Sequence, residues 1–254
     1  MSKPLILVTN DDGIEAKGIK ELIDTVSPLG QVVVFAPDGA RSGMSNAITV
    51  HTPLRYKLLE PRDGVLRFTS NGTPTDCVKL ALHTGALPRK PDILLSGINH
   101  GSNAAINVIY SGTMGAVFEG CENSIPSIGF SLANYEAKAD FNYFKPYIVK
   151  IVKEVLKRGL PRAVCLNVNA PIGEIKGLKI KRQAWGHWTD EFEKRIDPNG
   201  HSYFWMAGYF KNEDTAVHET DEWALANGYI SIVPSIIDLT AHEFVNEMKN
   251  WNLE

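Results

Sequence analysis

The chain has 254 residues, 44% of them hydrophobic and 22% charged, proportions that exclude a disordered, collagen-like or coiled-coil protein. Lys and Arg number 26 against 29 Asp and Glu, a formal charge of −3, so the long-range positive field that draws proteins onto nucleic acid is missing. A chain of this length can bury a large core without covalent staples.

Leu5 to Thr9 is a continuous apolar run, the pattern of a parallel strand covered on both faces. Ile19, Leu22, Ile23 and Val26 follow at helical spacing and are stopped by Pro28 and Gly30. Val32 to Ala36 reads as the next strand. At Thr73-Pro74-Thr75-Asp76 a Thr cap, a proline at the first helical position and an acid three residues after the cap predict a helix start. Ile93 to Ser96 is a third strand, and Met114, Val117, Phe118 and Cys121 repeat the helical spacing. Ser127 to Ser131 reads as a strand, Phe144 to Val155 as a helix and Ala163 to Val168 as a strand. Such alternation predicts an α/β fold, a Rossmann-like, doubly wound and mostly parallel sheet with helices on both faces.

Beyond about Gly177 the character changes. Eight of the 23 aromatic residues fall between Trp185 and Phe210, around an Asp197-Pro-Asn-Gly200 turn, which predicts a β-hairpin-rich C-terminal appendage. A strand from Tyr229 to Val233 and a helix carrying Ala241, Phe244, Val245 and Met248 close the chain. The organisation read from this is one domain over 1–254: a doubly wound core at 1–176, an extended arm at 177–228, and a closing strand and helix at 229–254.

Cys77, Cys121 and Cys165 are odd in number, lie in apolar stretches and form no CxxC; they read as reduced core thiols of a cytoplasmic protein. Pro4 to Val8 is too short for the apolar core of a signal peptide. One charge-free stretch, 93–118, is long enough to span a membrane, but Ser96, Asn99, His100, Ser102, Asn103, Asn107 and Ser111 interrupt it with groups that hydrocarbon does not solvate. Donors without countercharge need another explanation.

Ligands of open α/β sheets bind outside the carboxyl ends of the strands. The loops there read Asn10-Asp11-Asp12-Gly13 after the first strand, Pro37 to Ser45 with Arg41 and Ser42 after the second, and Gly97 to Asn103 with Asn99 after the third. Two adjacent carboxylates behind a buried strand are costly without a cation, and oxygen donors from Asp, Ser and Asn suit Mg²⁺ or Mn²⁺. Taken alone, Asn-Asp-Asp-Gly reads first as a polar turn; convergence with Ser42 and Asn99 is what favours a metal. No His or Cys spacing suits zinc. Tyr110-Ser111-Gly112-Thr113-Met114 precedes a helix whose N-terminal N–H groups and dipole form an anion site, or equally a plain Ser/Thr cap. There is no GxxxxGK[ST], GxGxxG or GxSxG motif. A cation beside an anion pocket points to metal-assisted phosphoester hydrolysis.

The pieces Leu5 to Gly13, Ala36-Pro37 with Arg41 to Ser45, Asn71 to Val78, Ser96 to Asn103 and Tyr110 to Ala116, and more weakly Gly228 to Pro234 with Asp238, resemble in order the SurE (survival protein E) family of metal-dependent nucleotidases. The departures are Val233, where the family often has Thr, and the poorly matching segment from Gly186 to Asp214. The resemblance implies a phosphatase for nucleoside 5′- and 3′-monophosphates, in some members also for short polyphosphate. It implies one divalent cation per subunit, Mg²⁺ or Mn²⁺, on Asp11, Asp12, Ser42 and Asn99. Phosphate contacts are implied from Ser111, Gly112 and Thr113, and a homodimer or homotetramer through the C-terminal arm.

On this reading Asp11 and Asp12 are the catalytic carboxylates, Asp12 handling the proton, while Asn10, Asn99 and Asn103 position loops or substrate. The partner is a small nucleotide, with no membrane and no nucleic-acid polymer. A binding module without catalysis would use the same pocket. The aromatic arm as a single-strand platform is disfavoured, because residues 185–210 carry Lys194 and Arg195 against Asp190, Glu191, Glu193 and Asp197, where such platforms interleave positive charge. An interface or a small apolar core accounts better for its aromatics.

Overall fold

The computed structural model describes residues 3–136 and 138–253. Strand β1 (Leu5–Thr9) is buried throughout, and its side chains divide by strand alternation: Leu5 and Leu7 join one apolar cluster, Ile6 and Val8 the other. Helices α1 (Lys17–Val26) and α4 (Lys145–Arg158) cover the Ile6/Val8 face, and α2 (Pro74–His83) and α3 (Gly112–Glu122) cover the opposite one. Each fully buried aliphatic side chain in these layers contributes roughly 1.5–3 kcal/mol.

Strands β2 (Gln31–Pro37), β3 (Tyr56–Arg62), β4 (Val65–Ser70), β5 (Ile93–His100), β6 (Ser127–Leu132), β7 (Val164–Ala170), β8 (Leu178–Ile180) and β13 (Ile230–Ile236) join β1 in a sheet of order β3-β4-β2-β1-β5-β6-β7-β13-β8. The six strands from β4 to β7 are mutually parallel, while β3 runs against β4 and β13 against β7. The chain winds outward from β1 through β2, then returns to place β5 on its other side. The switch point of this doubly wound sheet therefore lies between the carboxyl ends of β1 and β5.

Four departures from the expected elements stand out. The antiparallel hairpin β3–β4 closes one edge, turning at Asp63 and Gly64, both with positive φ. Strand β5 does not stop at Ser96. It bulges and continues: Ser96 pairs with Gly129 and Asn99 with Ser131, so that Gly97 and Ile98 together face Phe130. A bulge of this kind re-aims the residue that follows it, here Asn99. A short helix α5 (Asp221–Ala226) precedes β13, and the strand β8 at the start of the arm adds to the edge of the main sheet beside β13.

The rest of the arm is a doubled hairpin. Strand β9 (Gly186–Thr189) pairs with β12 (Tyr209–Asn212), and between them β10 (Phe192–Ile196) pairs with β11 (Ser202–Met206) around the expected Asp197–Gly200 turn. The other expected start is also in place: the Thr73 hydroxyl accepts from Asp76 N at 3.1 Å, and Asp76 Oδ2 accepts from Thr73 N at 3.0 Å. The three cysteines are buried and unpaired. Helix α6 (His242–Met248) is the last element among the described residues and is exposed along its length.

One buried carboxylate ties the arm to the core. Asp221 is fully buried and accepts N–H bonds from Ala105 (2.9 Å), Ala184 (2.8 Å) and Glu222 (2.8 Å). Burial pushes its pKa up, against the pull of those donors. Asp221→Ala would strand two distant backbone donors in a dry site, each unsatisfied group costing about 1–3 kcal/mol. The expected result is a melting temperature lower by about 5–10 °C, with the arm's amides exchanging faster than those of β1.

Candidate active site

At the switch point, β1 delivers Asn10, Asp11 and Asp12 into a turn. The Asn10 amide nitrogen donates to Gly13 O (2.9 Å), while its side-chain oxygen is buried with no partner. Asp11 is 4% exposed. Its Oδ1 accepts from the Thr113 hydroxyl at 2.5 Å, and its backbone oxygen from Arg41 N at 2.6 Å. Its carboxyl is raised to about 6, chiefly by burial, with the Asp12 charge adding and the Thr113 hydroxyl opposing. The half-buried Asp12 is raised too, mainly by burial, against the N–H of His100, which lies 3.4 Å from its Oδ2.

Among the described residues neither carboxylate forms an ion pair: Arg41, whose backbone N–H bonds Asp11 O, has its guanidinium paired with Asp38 at 2.9 Å. Two crowded acids without countercharge are a donor pair able to hold a cation.

Two close approaches build the wall opposite. A Cβ on Gly112 would lie 2.9 Å from Asp11 Cβ, and one on Gly115 only 2.1 Å from Ser45 O. The absence of side chains there lets the start of α3 sit directly on Asp11 and on the loop that carries Ser42. Ser111 caps α3, its hydroxyl accepting from Met114 N at 3.1 Å. The Gly112 and Thr113 N–H groups have no carbonyl within the helix, and Thr113 N–H helps to hold down the Asp11 pKa. The buried Thr113 hydroxyl is committed to Asp11, so what α3 offers an incoming anion is its backbone N–H groups and dipole.

Asn99 stands at the end of β5, its amide nitrogen donating to Gly101 O (3.0 Å). That leaves its side-chain oxygen as the atom able to ligate. Asn103 is set by a buried amide network: its N–H donates to Asn169 Oδ1, its carbonyl accepts from Asn167 Nδ2, and its own Nδ2 donates to Ser131 Oγ, each at 2.8 Å. Its side-chain oxygen is then the free atom, an acceptor suited to a hydroxyl and not to a phosphate oxygen.

Asp11, Ser42, Asn99, Asn103 and Ser111 line one cleft of about 370 Å³. Asp12, Asn10, Gly112 and Thr113 stand behind or beside it. The same cleft is walled by His100, Ser102, Asn107, Tyr110 and Tyr135. Of these, Tyr135 carried no motif; its only signal was its place after β6, where the carboxyl-end rule also applies. Trp188 in the arm donates from Nε1 to Asn107 Oδ1 at 2.8 Å, fastening the arm to the cleft wall. Among the described residues no three His, Cys, Asp or Glu side chains converge, so the donor set at hand is two carboxylates completed by neutral oxygens.

Residues 6–190 match the family of survival protein SurE. The chain is 50% identical to the 5′-nucleotidase SurE of Phocaeicola vulgatus over 99% of its own length and 98% of that protein's. With the 5′-nucleotidase SurE of Flavobacterium psychrophilum the identity is 52%, over 100% and 99%. The crystal structure of the SurE protein from Aquifex aeolicus shares its fold with a TM-score of 0.83 at 37% identity, covering 97% of this chain and 98% of that one. A match over most of the length, with carboxylates, bulge and helix start assembled at one switch point, leaves one conclusion: the chain belongs to the SurE family.

Proposed function

We propose that this protein is a divalent-metal-dependent phosphatase that hydrolyses nucleoside 5′- and 3′-monophosphates to nucleoside and phosphate, with short polyphosphate as a further substrate. The observation that carries the reading is the pair of crowded carboxylates at the switch point, with Asp11 packed against the N-terminus of α3 and lining one cleft with Ser42, Asn99 and Ser111. The names of its relatives support the substrate class.

Asp11, Asp12, Ser42 Oγ and Asn99 Oδ1 would hold one Mg²⁺ or Mn²⁺ per subunit; the hard oxygen set fits, and the buried, unpartnered Asn10 oxygen would serve as an acceptor beside it. When bound, the cation supplies charge to the phosphoryl oxygens and lowers the pKa of water. The first N–H groups of α3 and the Ser111 hydroxyl hold the phosphoryl group in line with the attacking water. Asp12, the more accessible of the two acids, takes the water's proton as the water oxygen bonds phosphorus and the P–O ester bond breaks, and passes that proton to the departing nucleoside oxygen. Asn103, as an acceptor, orients a substrate hydroxyl.

Phe192, Tyr203, Phe204, Trp205 and Met206 on the β10–β11 hairpin, and Phe244, Val245 and Trp251 at the C-terminus, are exposed. Exposed aromatic and aliphatic side chains in this number support a homodimer or homotetramer through the C-terminal arm. No helix among the described residues is long and apolar enough to cross a membrane, and a cytoplasmic setting suits three free thiols.

The deciding experiment is phosphate release from nucleoside 5′- and 3′-monophosphates with Mg²⁺ or Mn²⁺, repeated after chelation. Release is expected to stop on chelation and to fall more than about 100-fold in Asp12→Asn, beyond what loss of a mere supporting contact brings. Nucleotide binding without release under any metal would replace the phosphatase with a binding module, and a trapped phosphoenzyme would replace direct attack by water.

A further inference from the structure

We infer that Tyr135 is the platform on which the substrate's base stacks, and so sets the preference for nucleotides over other phosphate esters; this rests on the phosphatase reading above. Tyr135 follows β6, the strand beside the bulge that carries Asn99. Its backbone is held from both sides: Ala133 N donates to Ala170 O (2.9 Å), and Glu136 N donates to Asn134 Oδ1 (2.8 Å).

The ring lies on Gly101. A Cβ at that glycine would sit 2.4 Å from Tyr135 Cε1 and 3.0 Å from Cζ, and Gly101 itself has φ +114°. Only a residue with no side chain gives the ring this seat. With its Cδ1–Cε1–Cζ side against Gly101, the side chain is nevertheless 76% exposed and lines the same cleft as Asp11 and Ser111.

A tyrosine so exposed buries too little to matter to the fold. Its open face is a flat, amphipathic surface on a cleft whose other end is built of carboxylates and helix-end donors. A nucleoside monophosphate has the matching shape: an anion at one end, a hydroxylated sugar between and an aromatic base at the other. Stacking on one ring reads the presence of a base and its area, not its hydrogen-bonding edge. Purines are therefore bound better than pyrimidines.

The test compares AMP, UMP and ribose 5-phosphate as substrates of wild type, Tyr135→Ala, Tyr135→Phe and Tyr110→Ala. Tyr135→Ala is expected to raise KM for AMP about tenfold, the low end of what losing a stacked ring costs, with kcat nearly unchanged. Its kcat/KM for ribose 5-phosphate stays within about twofold of wild type, and the gap between AMP and UMP narrows. Tyr135→Phe keeps the wild-type pattern. Equal losses on AMP and ribose 5-phosphate, no loss on either, or a selective loss in Tyr110→Ala instead would overturn the assignment. AMP binding measured by calorimetry in Mn²⁺ separates the two readings. If wild type releases no phosphate yet Tyr135→Ala binds AMP about tenfold more weakly, the platform stands and the phosphatase falls; if binding is unaltered, the platform falls.

Discussion

Asp11→Asn is expected to cost more than about 100-fold in turnover and, in the absence of metal at neutral pH, to make the protein more stable. The carboxyl is buried beside a second acid with no cation paired to either, which is why its pKa is raised from 3.8 to about 6. A native state that keeps a proton the unfolded chain releases loses stability as pH rises. Below about pH 3.8 both states are protonated and the site costs nothing. Between 3.8 and about 6 the cost accumulates, and above 6 it is complete, about 3 kcal/mol at 1.36 kcal/mol per unit.

Asparagine is neutral throughout and still offers Thr113 an acceptor, so the variant's advantage should be small at pH 4 and reach about 6–12 °C in melting temperature at pH 7.5 with chelator. Saturating Mn²⁺ reverses the order: binding to the folded state alone is worth about 4 kcal/mol at a thousandfold excess over Kd, and it requires the deprotonated carboxylate that only the wild type has. Melting both proteins at pH 4, 5 and 7.5, with chelator and with Mn²⁺, checks each step. Asp11→Asn less stable at every pH, or an equal Mn²⁺ shift in both proteins, would remove the cation from this site.

The parallel layers were legible because strands buried on both faces leave unbroken apolar runs and the helices between them leave a 3.6-residue stripe; β1, β2 and α1 follow directly from that. The edge hairpin was not, since β3 (Tyr-Lys-Leu-Leu-Glu-Pro-Arg) is mostly exposed and has no alternation to read. Its Asp63-Gly64 turn was the available signal, with positive φ at both residues as a two-residue hairpin turn requires.

At the site, residues adjacent in sequence could be grouped by loop, and Asp11, Ser42, Asn99, Asn103 and Ser111 do share one cleft. Which atoms stay free could not be read, because that depends on partners 28 to 102 residues away: Thr113 on Asp11, Ser131 and Asn169 on Asn103. Tyr135 and the Trp188–Asn107 clasp were invisible for the same reason. The bulge in β5 was missed although Gly97 marks it: φ there is +131° and a Cβ would lie 2.3 Å from Phe130 O, so only glycine fits, but an isolated glycine says nothing of where pairing with β6 resumes.

That bulge carries the second prediction. Gly18 lies in the first turn of α1, where alanine would ordinarily stabilise a helix by about 1 kcal/mol. Here a Cβ would stand 1.9 Å from Ile98 O and 3.0 Å from Ile98 C. Both are backbone atoms inside the bulge, with no rotamer to yield. Either α1 lifts from the sheet, uncovering Ile19 and Leu22, which are wholly buried, or the bulge moves and takes Asn99 with it. Overpacking of this sort costs typically 1–3 kcal/mol and more against fixed backbone, so Gly18→Ala should melt about 6–12 °C lower.

The control is Gly39→Ala: its Cβ would meet nothing within 4 Å and its φ is not in the left-handed region, so its melting temperature should hold or rise slightly. The two alanines also separate packing from chemistry. If the bulge yields, Gly18→Ala should require more Mn²⁺ for half-maximal activity, because Asn99 is displaced; if the helix yields, its stability falls with the metal requirement unchanged. A Gly18→Ala protein that melts higher than wild type would mean that α1 does not rest on the β5 bulge.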